Sequence, residues 1–393
     1  MPLFSKENEM SSAQPDWKVQ LFKLNFDESE IEAVVETLRS GWITMGQRAL
    51  DFEAAFAKEL GHGSRCLAVS NGTAALHVAV LALGITTGDE VIVPSLTFIA
   101  DINSVKVSGG VPVLADVISM ADWSMDPADI EKKITPRTKA IMVVHYAGYS
   151  CAMDEIVSIC KRHKLALIED CAHAPGGDYK GQKLGTFGDI SAWSFFTNKN
   201  ISVGEGGMVV VRDEALYQKC KNLRSHGMTV ASFDRMKGRA STYDVLEAGL
   251  NYRMDEMHSS LGLVQLEKLP AANARRGELT ARYFTHLDKI KEISVPFRHY
   301  DRGTPTWHIM PILLNNGIDR QGIIEAMKND GVQTSIHYPA IQDFTAYREC
   351  AGEVPQAREI CRRELTLPLF PTMTDAQVDL VCDSLARAVL PKI

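Results

Sequence analysis

Lys199 lies in the stretch SFFTNKNISVGEGG (194–207), between an apolar run and a glycine-rich turn. An amine that leaves a buried strand end and enters a crevice loses hydration. Its pKa then falls, and the neutral form can condense with a carbonyl. Asp170 follows a second apolar run, LALI (165–168), and is itself followed by Cys171, Ala172 and His173. A carboxylate at such a strand end faces a ligand crevice and needs a cationic or hydrogen-bond-donating partner. A protonated ring nitrogen would serve. At SNGTAA (70–75) a tight turn opens directly into an apolar helix. Free N–H groups at that helix start suit a phosphate. Phe98, just past EVIVPS (90–95), can stack on a flat ring.

Each residue has an ordinary alternative. Thr73 can cap the helix, Asp170 can cap the next one, Phe98 can be core, His173 can be structural, and Lys199 can be solvated. The turn is neither a Walker loop nor GxGxxG. Taken together, the phosphate-binding helix start, the aromatic, the carboxylate and the amine are the parts that hold pyridoxal phosphate. In that reading Asp170 holds the pyridinium proton and Lys199 bonds to the aldehyde.

Short continuous apolar runs must carry these residues. They read as strands over 66–70, 90–94, 140–146, 165–168, 190–196 and 208–211, separated by helical patterns. The segment 73–83 reads as a helix apolar nearly all round, hence buried. Residues 26–60 read as helical, interrupted at Gly41 and Gly46. Such alternation predicts an α/β fold with a mostly parallel sheet covered on both faces, ligands collecting at the strands' C-terminal ends. Beyond about Arg253 amphipathic helical patterns dominate, including 271–290. Asp319 is a predicted cap, and Thr374 with Gln377 forms a predicted capping box. The expected organisation is an N-terminal arm (1–16), a large domain (17–255) and a smaller α+β domain (256–393).

Composition narrows the function. The chain has 393 residues, 45% hydrophobic and 23% charged, with net charge −7. It offers no global attraction to nucleic acid or an anionic membrane. Eight scattered cysteines form no CxxC pair, so zinc and redox chemistry are not expected, and reduced thiols in a cytoplasmic protein are. The first residues lack the apolar segment of a signal peptide, and no run is long enough to span a bilayer.

The chain closely resembles the DegT-type sugar aminotransferases, a branch of the fold-type I pyridoxal-phosphate enzymes. The likeness begins at Ser40-Gly41-Trp42-Ile43-Thr44-Met45-Gly46 and SNGTAALH (70–77). It continues through IEDCAHAPGG (168–177), SFFTNKNISVGEGG and GLNYRMDEMHSSLGLVQLEKL (249–269). It ends with Thr334-Ser335-Ile336-His337-Tyr338-Pro339 and LPLFPTMTDAQVD (367–379). The resemblance implies a seven-stranded sheet in the large domain. It also implies that Lys199 is the Schiff-base lysine and Asp170 the partner of the pyridine nitrogen. His173 falls near the ring hydroxyl, Phe98 on the ring face, and Thr73, Ala74 and Ser194 around the phosphate. Asn251 resembles a phosphate ligand that reaches in from a second subunit, which implies a homodimer with shared sites. Tyr252, Arg253, His337 and Tyr338 sit in blocks that border the sugar nucleotide in relatives. Phe196 stands where many relatives carry histidine or tyrosine. Related sugar 3-dehydratases have histidine in place of Lys199, so that branch is not expected.

The expected reaction is a ping-pong transfer of an amino group from L-glutamate to a nucleotide-linked keto-deoxysugar, at C4 first and C3 second. A keto-cyclitol aminotransferase would use the same machinery. A non-catalytic cofactor-binding regulator would not need Lys199 and Asp170 together. A nucleotide-binding oxidoreductase would need a second glycine-rich βα turn, which the sequence lacks.

Overall fold

The structure is a computed structural model that describes residues 17–229 and 242–390. The arm expected over 1–16 lies outside them. Seven strands form the main sheet: β1 (Arg65–Val69), β2 (Glu90–Pro94), β3 (Val111–Ala115), β4 (Thr138–Val144), β5 (Ala166–Asp170), β8 (Ile190–Ser194) and β9 (Gly207–Val211). A separate hairpin, β6 (Asp178–Tyr179) with β7 (Gln182–Lys183), lies between them in sequence. The strand order is β1-β9-β8-β5-β4-β2-β3. The pairings from β3 through β2, β4 and β5 to β8 are parallel, and β9 runs against both of its neighbours. The predicted mostly parallel sheet is therefore present.

Alternation along each strand feeds two cores. Leu67 and Val69 of β1 and Val91 and Val93 of β2 pack on the face covered by α3 (Gly72–Ala82). Cys66, Ala68 and Ile92 point to the other face, against Phe52 and Phe56 of α2 (Gln47–Leu60). Each such side chain contributes about 1.5–3 kcal/mol by leaving water. Burial on both faces explains why the strands read as unbroken apolar runs.

Three sequence-based bounds change. Strand β3, VPVLA, was not anticipated. Pro112 breaks its pattern, yet proline is tolerated because β3 is an edge strand. β4 and β8 end at Val144 and Ser194, short of the apolar residues that follow. The helix expected over 271–290 runs over Glu256–Leu287, 32 residues with Pro270 inside it. Proline in a helical pattern reads as a start or a break. Here the helix is held on both sides of it: Gln265 and Lys268 bond Glu30 of α1 (Glu28–Arg39), and Arg282 bonds Asp379 in the C-terminal helix.

The C-terminal part has a three-stranded antiparallel sheet, β10 (Ile293–Ser294), β11 (Met310–Leu314) and β12 (Glu364–Leu367). The helices Arg320–Asn329 and Asp375–Val389 close a third core over it. Asp319 caps the first helix, and Thr374 with Gln377 forms a capping box on the second, as predicted. The chain at Val19 pairs with Val332 in this part, not with the large sheet.

Candidate active site

The C-terminal ends of the parallel strands meet a loop of the smaller sheet around a cavity of about 610 Å³. Asp170 is the last residue of β5 and points into it. Glu169, its predecessor, points to the opposite face by strand alternation. There it accepts the N–H groups of Gly185, Phe187 and Gly188, which locks the register of the strand end. Glu169, His145 and Cys171 cluster within 4.8 Å. The carboxylate is already filled by those N–H groups, so the cluster serves as a brace. Burial raises the pKa of Asp170, while the Ala172 N–H at 2.8 Å and the nearby Lys199 oppose the rise.

Lys199 enters from the loop between β8 and β9. Its own N–H donates to Phe196 O at 2.8 Å, and Val203 N–H closes the loop on Phe195 O at 2.9 Å. The next residue, Asn200, is buried and anchors the turn. Its Nδ2 donates to Asn273 Oδ1 at 2.9 Å and to Thr306 O at 3.0 Å. Lys199 is thereby aimed into the cavity from a fixed backbone. Desolvation brings its pKa down to about 8, against an opposing pull from Asp170. Near neutral pH the amine is therefore still mostly protonated, but its neutral fraction is far larger than that of a solvated lysine.

The start of α3 forms the third wall. Asn71, not Thr73, is the cap: its side chain accepts Ala74 N–H at 2.8 Å. Ala74 N–H is thus spent within the turn. Among the described residues no acceptor engages the N–H groups of Gly72 and Thr73, and they open onto the cavity. Ser194, at the end of β8, closes this corner. A methyl group on Gly72 would lie 2.7 Å from Ser194 Cβ, so only glycine permits the approach. Gly207 passes equally close: a Cβ there would meet Asn71 O at 2.5 Å.

Phe98 lines the cavity beside Tyr338, ring centroids 5.6 Å apart, and is 54% exposed. It is therefore not core. His173 is buried, and its Nδ1 accepts Ala147 N–H at 3.2 Å. The proton then sits on Nε2, which donates to Tyr338 Oη at 3.1 Å. Burial, Lys199 and His337 hold His173 far below the usual histidine range, so it stays neutral. His337 is similarly depressed, to about 4, by burial and Lys199. Its Nδ1 donates to Thr366 Oγ1 at 2.9 Å, and Thr366 in turn donates to Glu364. This leaves Nε2 as the acceptor.

Tyr252 also lines the cavity, its hydroxyl 3.1 Å from His77 Nδ1. Two expected residues do not line it. Arg253 is half-buried beside β1, bridged to Val69. Asn251 is exposed and bridges Ser225. Reading the sequence missed Asn71 and Thr97, which line the cavity. The signal for Asn71 was its place just before the helix.

A flat phosphorylated pyridine fits this arrangement. The buried carboxylate lacks a full counter-charge, two N–H groups face the cavity from a turn that closes on Ser194 only because position 72 is glycine, and an aromatic and an amine flank the gap. Independent comparisons agree. The model of the DegT/DnrJ/EryC1/StrS aminotransferase family matches residues 25–386. GDP-perosamine synthase of Escherichia coli O157:H7 is 37% identical, covering 93% of this chain and 97% of that protein. The spore coat polysaccharide biosynthesis protein SpsC of Bacillus subtilis is 38% identical, covering 92% and 95%. Spr1654 of Streptococcus pneumoniae in its PLP form superposes with a TM-score of 0.85 at 28% identity, covering 93% of this chain and 98% of that one. The chain belongs to the DegT/DnrJ/EryC1/StrS aminotransferase family, and it is a sugar aminotransferase that works with pyridoxal 5′-phosphate.

Proposed function

We propose that the enzyme moves an amino group from L-glutamate to a nucleotide-linked keto-deoxysugar in two half-reactions, with C4 the expected site of amination and C3 the alternative. The observation that carries this reading is the convergence of Lys199 and Asp170 on one cavity beside the α3 start. The name of the E. coli relative contains a GDP-linked sugar, which supports a nucleotide-linked substrate. The name of the B. subtilis relative supports a role in polysaccharide formation.

When bound, pyridoxal phosphate supplies an aldehyde for the amino group and a ring that can take up the electrons of a deprotonated carbon. The protein's own groups do the rest. The N–H groups of Gly72 and Thr73, with Ser194, would hold the phosphate, and Ala74 completes the turn. Asp170 would accept the ring N–H. Phe98 would cover one ring face, and His173 would stand as a neutral group beside the ring. Lys199, its pKa lowered to about 8, would in its unprotonated form take a proton from the carbon bearing the donor's amino group and deliver it to the cofactor's former aldehyde carbon, and run the same transfer backwards for the sugar. His337 Nε2, Tyr338 and Tyr252 offer polar contacts to the sugar, and Arg253 follows Tyr252 in sequence.

We also propose a homodimer in which Asn251 serves the neighbouring subunit's phosphate site. Its exposure and its absence from the lining of its own cavity support this. Action in the cytoplasm is proposed from the free state of all eight cysteines. No helix among the described residues is long and apolar enough to cross a membrane.

The test is a panel of 4-keto and 3-keto sugar nucleotides, with keto-cyclitols alongside, incubated with glutamate and followed by mass spectrometry. A 4-amino sugar nucleotide and 2-oxoglutarate are expected. Amination of the cyclitols alone would overturn the reading.

A further inference from the structure

We propose that Asp101 is a positioning residue: as a neutral carboxylic acid it donates a hydrogen bond to Asp170 and keeps that carboxylate charged and fixed in the ring site. Asp101 sits in the first turn of α4 (Ala100–Val107), fully buried. Its Oδ2 accepts Thr97 Oγ1–H at 2.5 Å. Its Oδ1 is buried and has no donor to accept from. A charged oxygen left so would cost several kcal/mol. What it meets is another carboxyl: Asp101 and Asp170 lie within hydrogen-bonding contact. Two carboxyl groups in contact cannot both ionise in a dry site, so the pair keeps one proton.

The surroundings decide which residue carries it. Asp170 has Ala172 N–H, and the charges of Lys199 and His145 favour its anion. Asp101 has the Thr97 hydroxyl alone, and burial with the Asp170 charge pushes its pKa far up. Tyr338 and Cys171 also face Asp170 but are held neutral by burial. The proton therefore rests on Asp101 and is donated to Asp170. This fixes the Asp170 carboxylate from behind and leaves it anionic for a ring N–H in front. The part concerning the ring rests on the reading of Asp170 given above.

The first test uses the cofactor-free protein. A carboxyl whose folded pKa is raised binds its proton more tightly folded than unfolded. Its contribution is full below the ordinary carboxyl range and is lost as pH rises toward the folded value. Asp101→Asn keeps a neutral donor and acceptor but cannot titrate. The Tm of Asp101→Asn minus that of wild type is therefore expected to grow from about pH 4.5 to about pH 8, by a few degrees. A difference that stays flat or shrinks would overturn the neutral acid.

The second test is a fluorescence titration of the proteins with pyridoxal phosphate. Asp101→Asn should bind within about threefold of wild type, and Asp101→Leu about tenfold or more weakly. In an Asp170→Asn background the leucine variant should lose most of that effect. An undiminished loss there would make Asp101 merely structural. If wild type itself failed to bind the cofactor, the reading of Asp170 would fall, while the pH series would still decide the acid pair.

Discussion

Among single residues, Lys199 carries the most exposed claim. Its amine gives up a proton more readily than a solvated lysine because burial outweighs the attraction of Asp170, not because a base removes its proton. The rate at which cofactor-free enzyme captures pyridoxal phosphate should therefore rise with pH and reach half its plateau near 8, the lowered pKa of Lys199. A solvated lysine would titrate near ~10.4. Asp170→Asn removes the charge that holds the proton on Lys199, so the midpoint should move down. Stopped-flow absorbance at several pH values reads both. A midpoint that rises in Asp170→Asn would break the assumed proximity. Lys199→Ala should show no turnover and no covalent absorbance. Lys199 and Asp170 were legible because each follows an apolar run whose direction is fixed by the sheet. Asp101 was not, since its burial against Asp170 joins helix α4 to strand β5 across a long stretch of chain. No local pattern encodes that contact.

Among the elements, the meeting of α3 with β8 makes the phosphate corner. The helix can approach because position 72 has no side chain, with Ser194 Cβ 2.7 Å from where a methyl would stand. Gly72→Ala must push the helix start off the strand, at about 1–3 kcal/mol of overpacking. Most of the shift falls on the two free N–H groups. Cofactor affinity is expected to drop about 10- to 100-fold, since each 1.4 kcal/mol is tenfold. Far-UV circular dichroism should remain unchanged. Fluorescence titration checks the affinity, and unaltered binding would remove the helix start from the phosphate site. Much of this level could be read ahead of the coordinates. The apolar α3, the two C-terminal caps and the parallel strands follow from periodicity and turn chemistry. The long helix Glu256–Leu287 escaped because Pro270 mimics a boundary, and only packing against α1 and the C-terminal helix carries it through.

In the whole molecule, Ile31, Leu38, Ile43 and Leu50 are exposed around α1 and α2, and Phe196 is 43% exposed at the cavity mouth. The proposed dimer would cover apolar side chains of this kind. With Asn251 outside its own cavity, the proposed two-fold dimer has each site built from both chains. The consequence can be counted. Lys199→Ala and Asn251→Ala proteins should each be inactive or strongly impaired alone. Mixed equally and allowed to exchange subunits, half of the dimers become hybrids, and each hybrid restores one of two sites. Activity should then approach roughly a quarter of wild type. If each chain instead completed its own site, mixing would leave activity at the average of the two parents. Recovery above that average, dependent on time and on subunit exchange, separates the two arrangements without requiring the sugar substrate's identity beyond one that turns over.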